Sequence, residues 1–292
     1  MEKFLIGHGS DNSKGTGVTV ILAPGGAVGG VSVRGAAPGT RETDLLKPMN
    51  TVREAHAVVL CGGSAFGLEA CCGVMDYLYE KRIGFLAGSH IVPIVAGAVL
   101  FDLNYQEFAY PNKQMGYLAA KEATAYNFMQ GNVGAGTGAT VGKILGPELA
   151  AKGGLGIATM KLQDDVRITA IMAVNAVGDV YNEENEMIAG LKHPDGKTTM
   201  DLLLEGATSD LEGQNTTIGC ILTNATLTKE QTNKLADIAH DGLALAIKPV
   251  HTIFDGDTIF ALASGEREGN FPSLLAACVE VTRSAIVNAV KR

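Results

Sequence analysis

Residues 213–222 read GQNTTIGCIL, an Asn and two threonines set directly before an apolar β-branched run. Threonine is frequent in strands, so one reading is an ordinary strand start with a polar lead-in. The other reading is chemical. A threonine hydroxyl is a poor nucleophile unless a base stands beside it. If the Asn215–Thr216 bond is cut, Thr216 carries its own base, an α-amine with a pKa of about 7.7–8.0. That value lies near working pH, where general-base catalysis is most efficient, and the Thr–N-terminus pair is one variant of the nucleophile–base arrangement.

Four further groups have types suited to the same chemistry. In HTIFDGDTIF, residues 251–260, Asp255 and Asp257 flank a glycine ahead of an apolar strand. Asp-Gly is a turn signal; as chemistry, the two carboxylates form a pair that orients Thr216 and shuttles protons. His251, in the same stretch, is read as structural. Asn175 interrupts the apolar run AIMAVNAVG, where a polar amide is costly to bury without a partner. It suits either an oxyanion donor or a cap on a bulge. Lys143 in TVGKILG either holds a neighbouring carboxylate or is solvated. The stretch GNVGAGTGATVG, residues 131–142, lacks the dinucleotide spacing because Ala139 holds the last glycine slot. It also lacks a phosphate-loop ending, since Ile144 follows Lys143. A backbone lining for a small pocket, through Gly134, Gly136 and Thr137, fits it better.

These groups need elements to hold them. TGVTVILAP and GVSVRG read as two strands with GGAVG turning between them. HAVVLCGGSAFG reads as a strand and a glycine turn leading into a helix, on which Leu68, Cys71, Cys72, Met75, Leu78 and Tyr79 recur at helical spacing. IVPIVAGAVLFDLN is a buried strand, NKQMGYLAAKEATAY a helix, and GGLGIATMKL and VRITAIMAVNAVGDVYN adjacent strands. The pattern weakens over residues 183–214, the best linker in the chain, and it ends where the Asn-Thr-Thr stretch begins. TTIGCILTNA is then a strand, and Thr228 with Gln231 forms a capping box for a helix whose apolar face is Leu235, Ile238, Ala239, Gly242, Leu243 and Ala246. DGDTIFALAS is another strand and FPSLLAACVEVTRSAIVNAVKR a final helix. Strands gathered in sheets with helices outside predict a layered α+β or α/β domain.

Composition narrows the partners. The 292-residue chain carries a net charge of −8 and no Lys/Arg run, which argues against nucleic acid. Neither a signal peptide nor an uninterrupted apolar stretch of about 20 residues is visible. Five cysteines without Cys-x-x-Cys spacing predict buried thiols in a cytoplasmic protein and no metal site.

The segments GNVGAGTGATVGK, AVNAVGDV, NTTIG and LADIAHDGLALAIKPVHTIFDGDTIFALASG together resemble the L-aminopeptidase/D-Ala-esterase/amidase family. That family includes β-peptidyl aminopeptidases and nylon-oligomer hydrolases and is akin to the N-terminal-nucleophile hydrolases. The likeness also covers GVTVILAPGGAVGGVSVRGAAPGTRETDLL and GGSAFGLEA, and so nearly the whole chain. It implies a single αββα sandwich, made as one precursor and cut autocatalytically into residues 1–215 and 216–292. It further implies an amide hydrolase without metal or organic cofactor, acting on small peptides or amide oligomers, and a homo-oligomer, commonly a tetramer. Thr216 matches the nucleophile, Asn175 the oxyanion-side Asn, and Lys143 a lysine of the nylon branch. Asp255 and Asp257 match the acidic pair of that branch, where the aminopeptidase branch has Ser and Glu. A tyrosine that some branches use for the oxyanion has no counterpart here; Val99 stands at about that place. The departure leans toward an oligo-amide hydrolase rather than an α- or β-aminopeptidase. Outside enzymes, the residues also admit a small-molecule or nucleotide-binding protein built on the 131–142 loop.

Overall fold

The computed structural model describes residues 2–208 and 214–291. Eight strands carry the architecture: β1 (Leu5–Asp11), β2 (Thr16–Val33), β3 (Glu54–Cys61), β4 (Val95–Val99), β5 (Gly154–Lys161), β6 (Arg167–Asn175), β7 (Thr216–Ala225) and β8 (Thr258–Arg267). The helices are α1 (Glu69–Glu80), α2 (Lys113–Lys121), α3 (Thr199–Leu204), α4 (Lys229–Ala246) and α5 (Phe271–Val290). The pairing runs β5-β6-β7-β8-β2-β3-β4, with the two residues Thr40–Arg41 beyond β4 and with β1 on the N-terminal half of β2.

The segments TGVTVILAP and GVSVRG are one strand, not two with a turn between them. The 18 residues of β2 pair β3 on both sides of a bulge between Leu22 and Ala27, and the far half, Val28–Val33, pairs β8. Pro24-Gly25-Gly26 mimics a hairpin signal. The extra residues bend the strand instead, so that it belongs to one half of the sheet before the bulge and to the other after it.

Side-chain alternation shows what the bend achieves. Successive strand residues point to opposite faces. Ile218, Cys220 and Leu222 of β7 and Phe260 and Leu262 of β8 share one core with Ile21 of β2, Val58 and Leu60 of β3 and Ala96 and Ala98 of β4. The alternate residues face outward. Ile221, Ile259 and Ala261 pack with Leu235, Ala239 and Leu243 of α4 and with Cys278, Val281 and Ala285 of α5. Val18, Val20, Val59 and Cys61 pack with Cys71, Val74 and Leu78 of α1 and Ala119 of α2. The two halves of the sheet therefore lie face to face between two helix layers, and the architecture is the αββα sandwich.

Local chemistry sets the helix starts. Thr228 and Gln231 make a reciprocal capping box at α4, and the Asn112 and Asn270 side chains cap α2 and α5. Helix α5 has the length and mean hydropathy to cross a bilayer, but more than half of it is buried against the sheet, as in a core helix. Tyr79, expected on the apolar stripe of α1, is exposed; Ala70 and Val74 face inward instead. The 183–214 stretch contains a short strand, Met187–Ala189, and α3; residues 209–213 lie outside the described residues. All five cysteines are free.

Candidate active site

Three strand ends meet at the Asn215–Thr216 junction. Strand β7 starts at Thr216, antiparallel to β6 with Asn175 opposite Thr216, and parallel to β8. A single bridge from Asn215 to Asp255 extends the β7 ladder toward the loop that precedes β8. Asn215 and Thr216 are both buried. The hydroxyl of Thr216 donates to the carbonyl oxygen of Asn215, its own preceding residue. That same oxygen accepts the backbone N–H of Gly256 at 2.9 Å.

The loop 251–257 is held by its own carboxylates. Asp255 Oδ2 accepts the N–H of Thr252 at 3.0 Å and its hydroxyl at 2.6 Å, while Oδ1 takes the N–H of Val177 at 3.4 Å. Asp257 Oδ2 accepts the backbone N–H of His251 at 3.2 Å and lies 2.7 Å from His251 Nδ1. Asp257 Oδ1 receives the N–H of Thr217 at 2.6 Å. Asp257 thus fixes the backbone just after Thr216, while the Asp255 carboxylate holds its own loop to Val177. Gly256 itself lies against that hydroxyl: a Cβ there would fall 2.9 Å from Thr216 Oγ and 2.5 Å from the carbonyl of Ala37.

Opposite the loop, Lys143 and Asn175 form one unit. Lys143 Nζ donates to Asn175 Oδ1 at 2.9 Å, to the Asn175 carbonyl at 3.1 Å and to the Gln214 carbonyl at 3.3 Å. Asn175 Oδ1 also accepts the N–H of Thr140 at 3.0 Å, and its Nδ2 donates to the carbonyl of Phe101 at 3.0 Å. Lys143 is therefore buried and fully engaged, not solvated. One amide N–H of Asn175 is spent on Phe101, and its second is what it can offer an oxyanion.

Burial shifts the charges here toward neutrality. It pulls Lys143 down to about 7, against the opposing pull of Asp255 and Asp102. It pushes Asp255 up to about 6, helped by the charge of Asp257. Asp102, buried and accepting the N–H of Gly63 at 2.6 Å, is likewise pushed up to about 6 by desolvation. Buried groups pushed toward the neutral range in this way, lining one junction, mark a candidate catalytic site.

A cavity of about 480 Å³ opens beside the junction, lined by Phe101, Asp102, Tyr105, Thr140, Lys143 and Gln214 among others. The expected lining residues Gly134, Gly136 and Thr137 are not part of it. All three are buried in a tight turn: the Gly134 N–H goes to Ser10 Oγ at 2.7 Å, and the Thr137 hydroxyl goes back to the Gly134 carbonyl at 2.7 Å. A Cβ at Gly136 would lie 2.1 Å from the N–H nitrogen of Leu155, so that glycine serves a close backbone approach. The same loop instead supplies Gly138, Thr140 and Lys143 to the wall. With the Gly134 N–H spent on Ser10 and the Ala135 N–H on Thr19, the turn has no amide array for a phosphate. Val99, at the expected tyrosine place, ends β4; the residue that meets the Asn175 amide is Phe101, two positions on. Among the described residues, no three His, Cys, Asp or Glu side chains are placed to share a metal ion.

Sequence comparison agrees with this geometry. The model of peptidase family S58 matches residues 3–292. The chain belongs to peptidase family S58. It is 42% identical over 268 residues to an uncharacterized aminopeptidase of Mycobacterium leprae, covering 86% of this chain and 72% of the relative. It is 33% identical over 263 residues to the 6-aminohexanoate-oligomer endohydrolase of Paenarthrobacter ureafaciens, covering 86% and 70%. Among solved structures, the L-aminopeptidase D-Ala-esterase/amidase of Ochrobactrum anthropi, described as a variant of the Ntn hydrolase fold, superposes with a TM-score of 0.74 at 16% identity, covering 99% of this chain and 84% of that one. A β-aminopeptidase of Burkholderia gives a TM-score of 0.71 at 19% identity, covering 98% and 83%. This S58 member is a hydrolase of amide bonds with the Ntn-type sandwich.

Sequence reasoning passed over three parts of the site. Gly256 was legible only as the middle of a turn, and His251 as a structural histidine. Asp102 gave no signal, because nothing in FDLN marks an acid destined for burial.

Proposed function

We propose that this S58 hydrolase cuts its own chain between Asn215 and Thr216 and then uses Thr216 as an N-terminal nucleophile. The observation that carries the reading is the shared oxygen: the Asn215 carbonyl takes both the Thr216 hydroxyl and the Gly256 N–H at 2.9 Å. A donor within 2.7–3.1 Å of a carbonyl oxygen is placed to stabilise the charge that develops there on attack.

The steps balance as follows. Thr216 Oγ attacks the Asn215 carbonyl carbon, and its proton passes to the nitrogen that leaves, giving an ester between Asn215 and the threonine side chain. Water hydrolyses the ester, releasing a carboxylate on Asn215 and a free α-amine on Thr216. In the mature enzyme that amine accepts the Oγ proton as the hydroxyl attacks a substrate amide, and water then frees the acyl group. Asn175 offers its second amide N–H to the oxyanion, Lys143 holds Asn175 in place, Asp257 fixes the backbone after the nucleophile, and Asp255 holds the loop that carries the Gly256 N–H. The two products are residues 1–215 and 216–292 of one domain, and the protein self-associates as a homo-oligomer.

The substrate is a small peptide or a linear amide oligomer whose acyl part enters the 480 Å³ cavity beside Gln214. The Asp255–Asp257 pair and the endohydrolase relative favour an oligo-amide. The higher identity to the mycobacterial aminopeptidase supports a second reading, release of one N-terminal residue. Acetylating the substrate's free amine separates them: an endohydrolase keeps its rate and an aminopeptidase loses it. Thr216→Ala tests the nucleophile. It is expected to stay one chain without hydrolytic activity, and turnover by that variant overturns the assignment.

A further inference from the structure

Asp257 is bound from three sides, and one of the three partners is a side chain. His251 Nδ1 lies 2.7 Å from Asp257 Oδ2, while the other oxygen, Oδ1, receives the N–H of Thr217, the residue after the nucleophile, at 2.6 Å. Because its partner is a carboxylate, Nδ1 carries the hydrogen. The far side of the ring is closed. His251 Nε2 is buried without a partner, and the ring packs edge-on against His240, centroids 4.8 Å apart at 66°. His240 is fully buried and pulled down to about 4 by burial, so it is neutral near pH 7. Its Nε2 sits 3.2 Å from the carbonyl of Ser32, an oxygen that only accepts, so the hydrogen is on Nε2, and Nδ1 is buried without a hydrogen-bond partner. The backbone of His251 is left-handed, φ 56°, a conformation that brings both its N–H and its ring onto the same carboxylate oxygen.

We propose that His251 is a positioning residue for the threonine centre: its Nδ1–H holds the Asp257 carboxylate turned onto the Thr217 N–H, and so holds the nucleophile's backbone. This rests on the threonine-nucleophile reading. The two acids are held differently. Each accepts three donors, but Asp257 takes a histidine ring and the N–H of the residue after the nucleophile, whereas Asp255 takes the N–H and hydroxyl of Thr252 and the N–H of Val177. The other charged groups around the pair are Lys143 and Asp102 across the junction, and Arg34, whose charge reaches His240.

The left-handed backbone dictates the test. Alanine at φ 56° adds strain of its own, so the donor is removed with His251→Gly and retained with His251→Asn, both of which accept that conformation. Hydrolysis of an amide substrate is followed against substrate concentration for both variants and the wild type, with Thr216→Ala alongside. Loss of the Nδ1 donor lets the Asp257 carboxylate turn away from Thr217, so kcat in His251→Gly falls at least about tenfold while KM changes less than about twofold. His251→Asn restores most of the rate. A wild-type kcat in His251→Gly, a change in KM alone, or equal behaviour of the two variants overturns the role of His251. Activity in Thr216→Ala overturns the underlying reading instead. Should His251→Gly fail to fold, nitrogen-15 spectra of labelled histidine in the uncut Thr216→Ala protein decide the point. A hydrogen on His251 Nδ1 is expected, and a bare Nδ1 contradicts the proposal.

Discussion

Lys143 and Asn175 are locked together through two contacts, Nζ to Oδ1 at 2.9 Å and Nζ to the backbone carbonyl at 3.1 Å. A third bond carries the same ammonium to the Gln214 carbonyl, so one buried side chain joins the end of β6 to the residue before Asn215. Lys143→Met deletes all three. Self-cleavage in that variant is expected to slow by at least about tenfold, since Asn175 loses the partner that orients its amide. A time course on a denaturing gel reads it.

The same lysine makes stability depend on pH. Its folded pKa is about 7 against 10.5 for the ordinary side chain, so between those values the unfolded chain binds more protons than the folded one. Stability therefore rises with pH across that window. Asp255 acts in the opposite sense at lower pH. Raised from 3.8 to about 6, it binds more protons when folded, and its contribution falls as pH rises between those values. The buried thiols of Cys61, Cys220 and Cys278, pushed up by burial, act in the opposite sense above pH 9, so the lysine is isolated by comparison. In urea unfolding, the uncut Thr216→Ala protein is expected to gain a few kcal/mol relative to the same protein with Lys143→Met between pH 7 and 10.

Gly256→Ala keeps the N–H but places a methyl 2.9 Å from Thr216 Oγ and 2.5 Å from the Ala37 carbonyl. The loop must retreat, and the donor retreats with it. Loss of one oxyanion donor costs roughly 10²-fold in rate, and a slowing of cleavage of that order is expected in pulse-chase of freshly made protein. The folded content, read by circular dichroism, stays close to that of the precursor.

A substitution in the cavity wall separates self-cleavage from turnover. Ala151 lines the cavity from the short strand paired with Val141. Ala151→Trp fills the space a substrate needs, so KM for an amide substrate is expected to rise at least about tenfold. The intramolecular cut needs no cavity and proceeds at the wild-type rate.

How far the sequence reveals this site differs from element to element. Strand β7 was plain because TTIGCILTNA is β-branched, apolar and preceded by polar residues, and α4 because Thr228 and Gln231 cap it locally. Those signals live within a few residues. The bent β2 was misread, because Pro24-Gly25-Gly26 is a turn signal in isolation and becomes a bulge only when β3 and β8 pair both flanks. Gly134, Gly136 and Thr137 were misplaced for a similar reason. Glycine spacing shows that a backbone approaches something closely, but not whether that neighbour is a ligand or, as at Gly136, the Leu155 backbone. Lys143 looked solvated since its partners, Asn175 and Gln214, lie 32 and 71 residues away.

N-terminal sequencing with intact mass of the purified wild-type protein bears most directly on whether Thr216 is freed by the chain itself. Two polypeptides are expected, the second starting at Thr216-Thr217-Ile218, alongside a single chain of 30.3 kDa from Thr216→Ala. A single 30.3 kDa chain in wild-type enzyme that hydrolyses amides at its full rate contradicts the proposal.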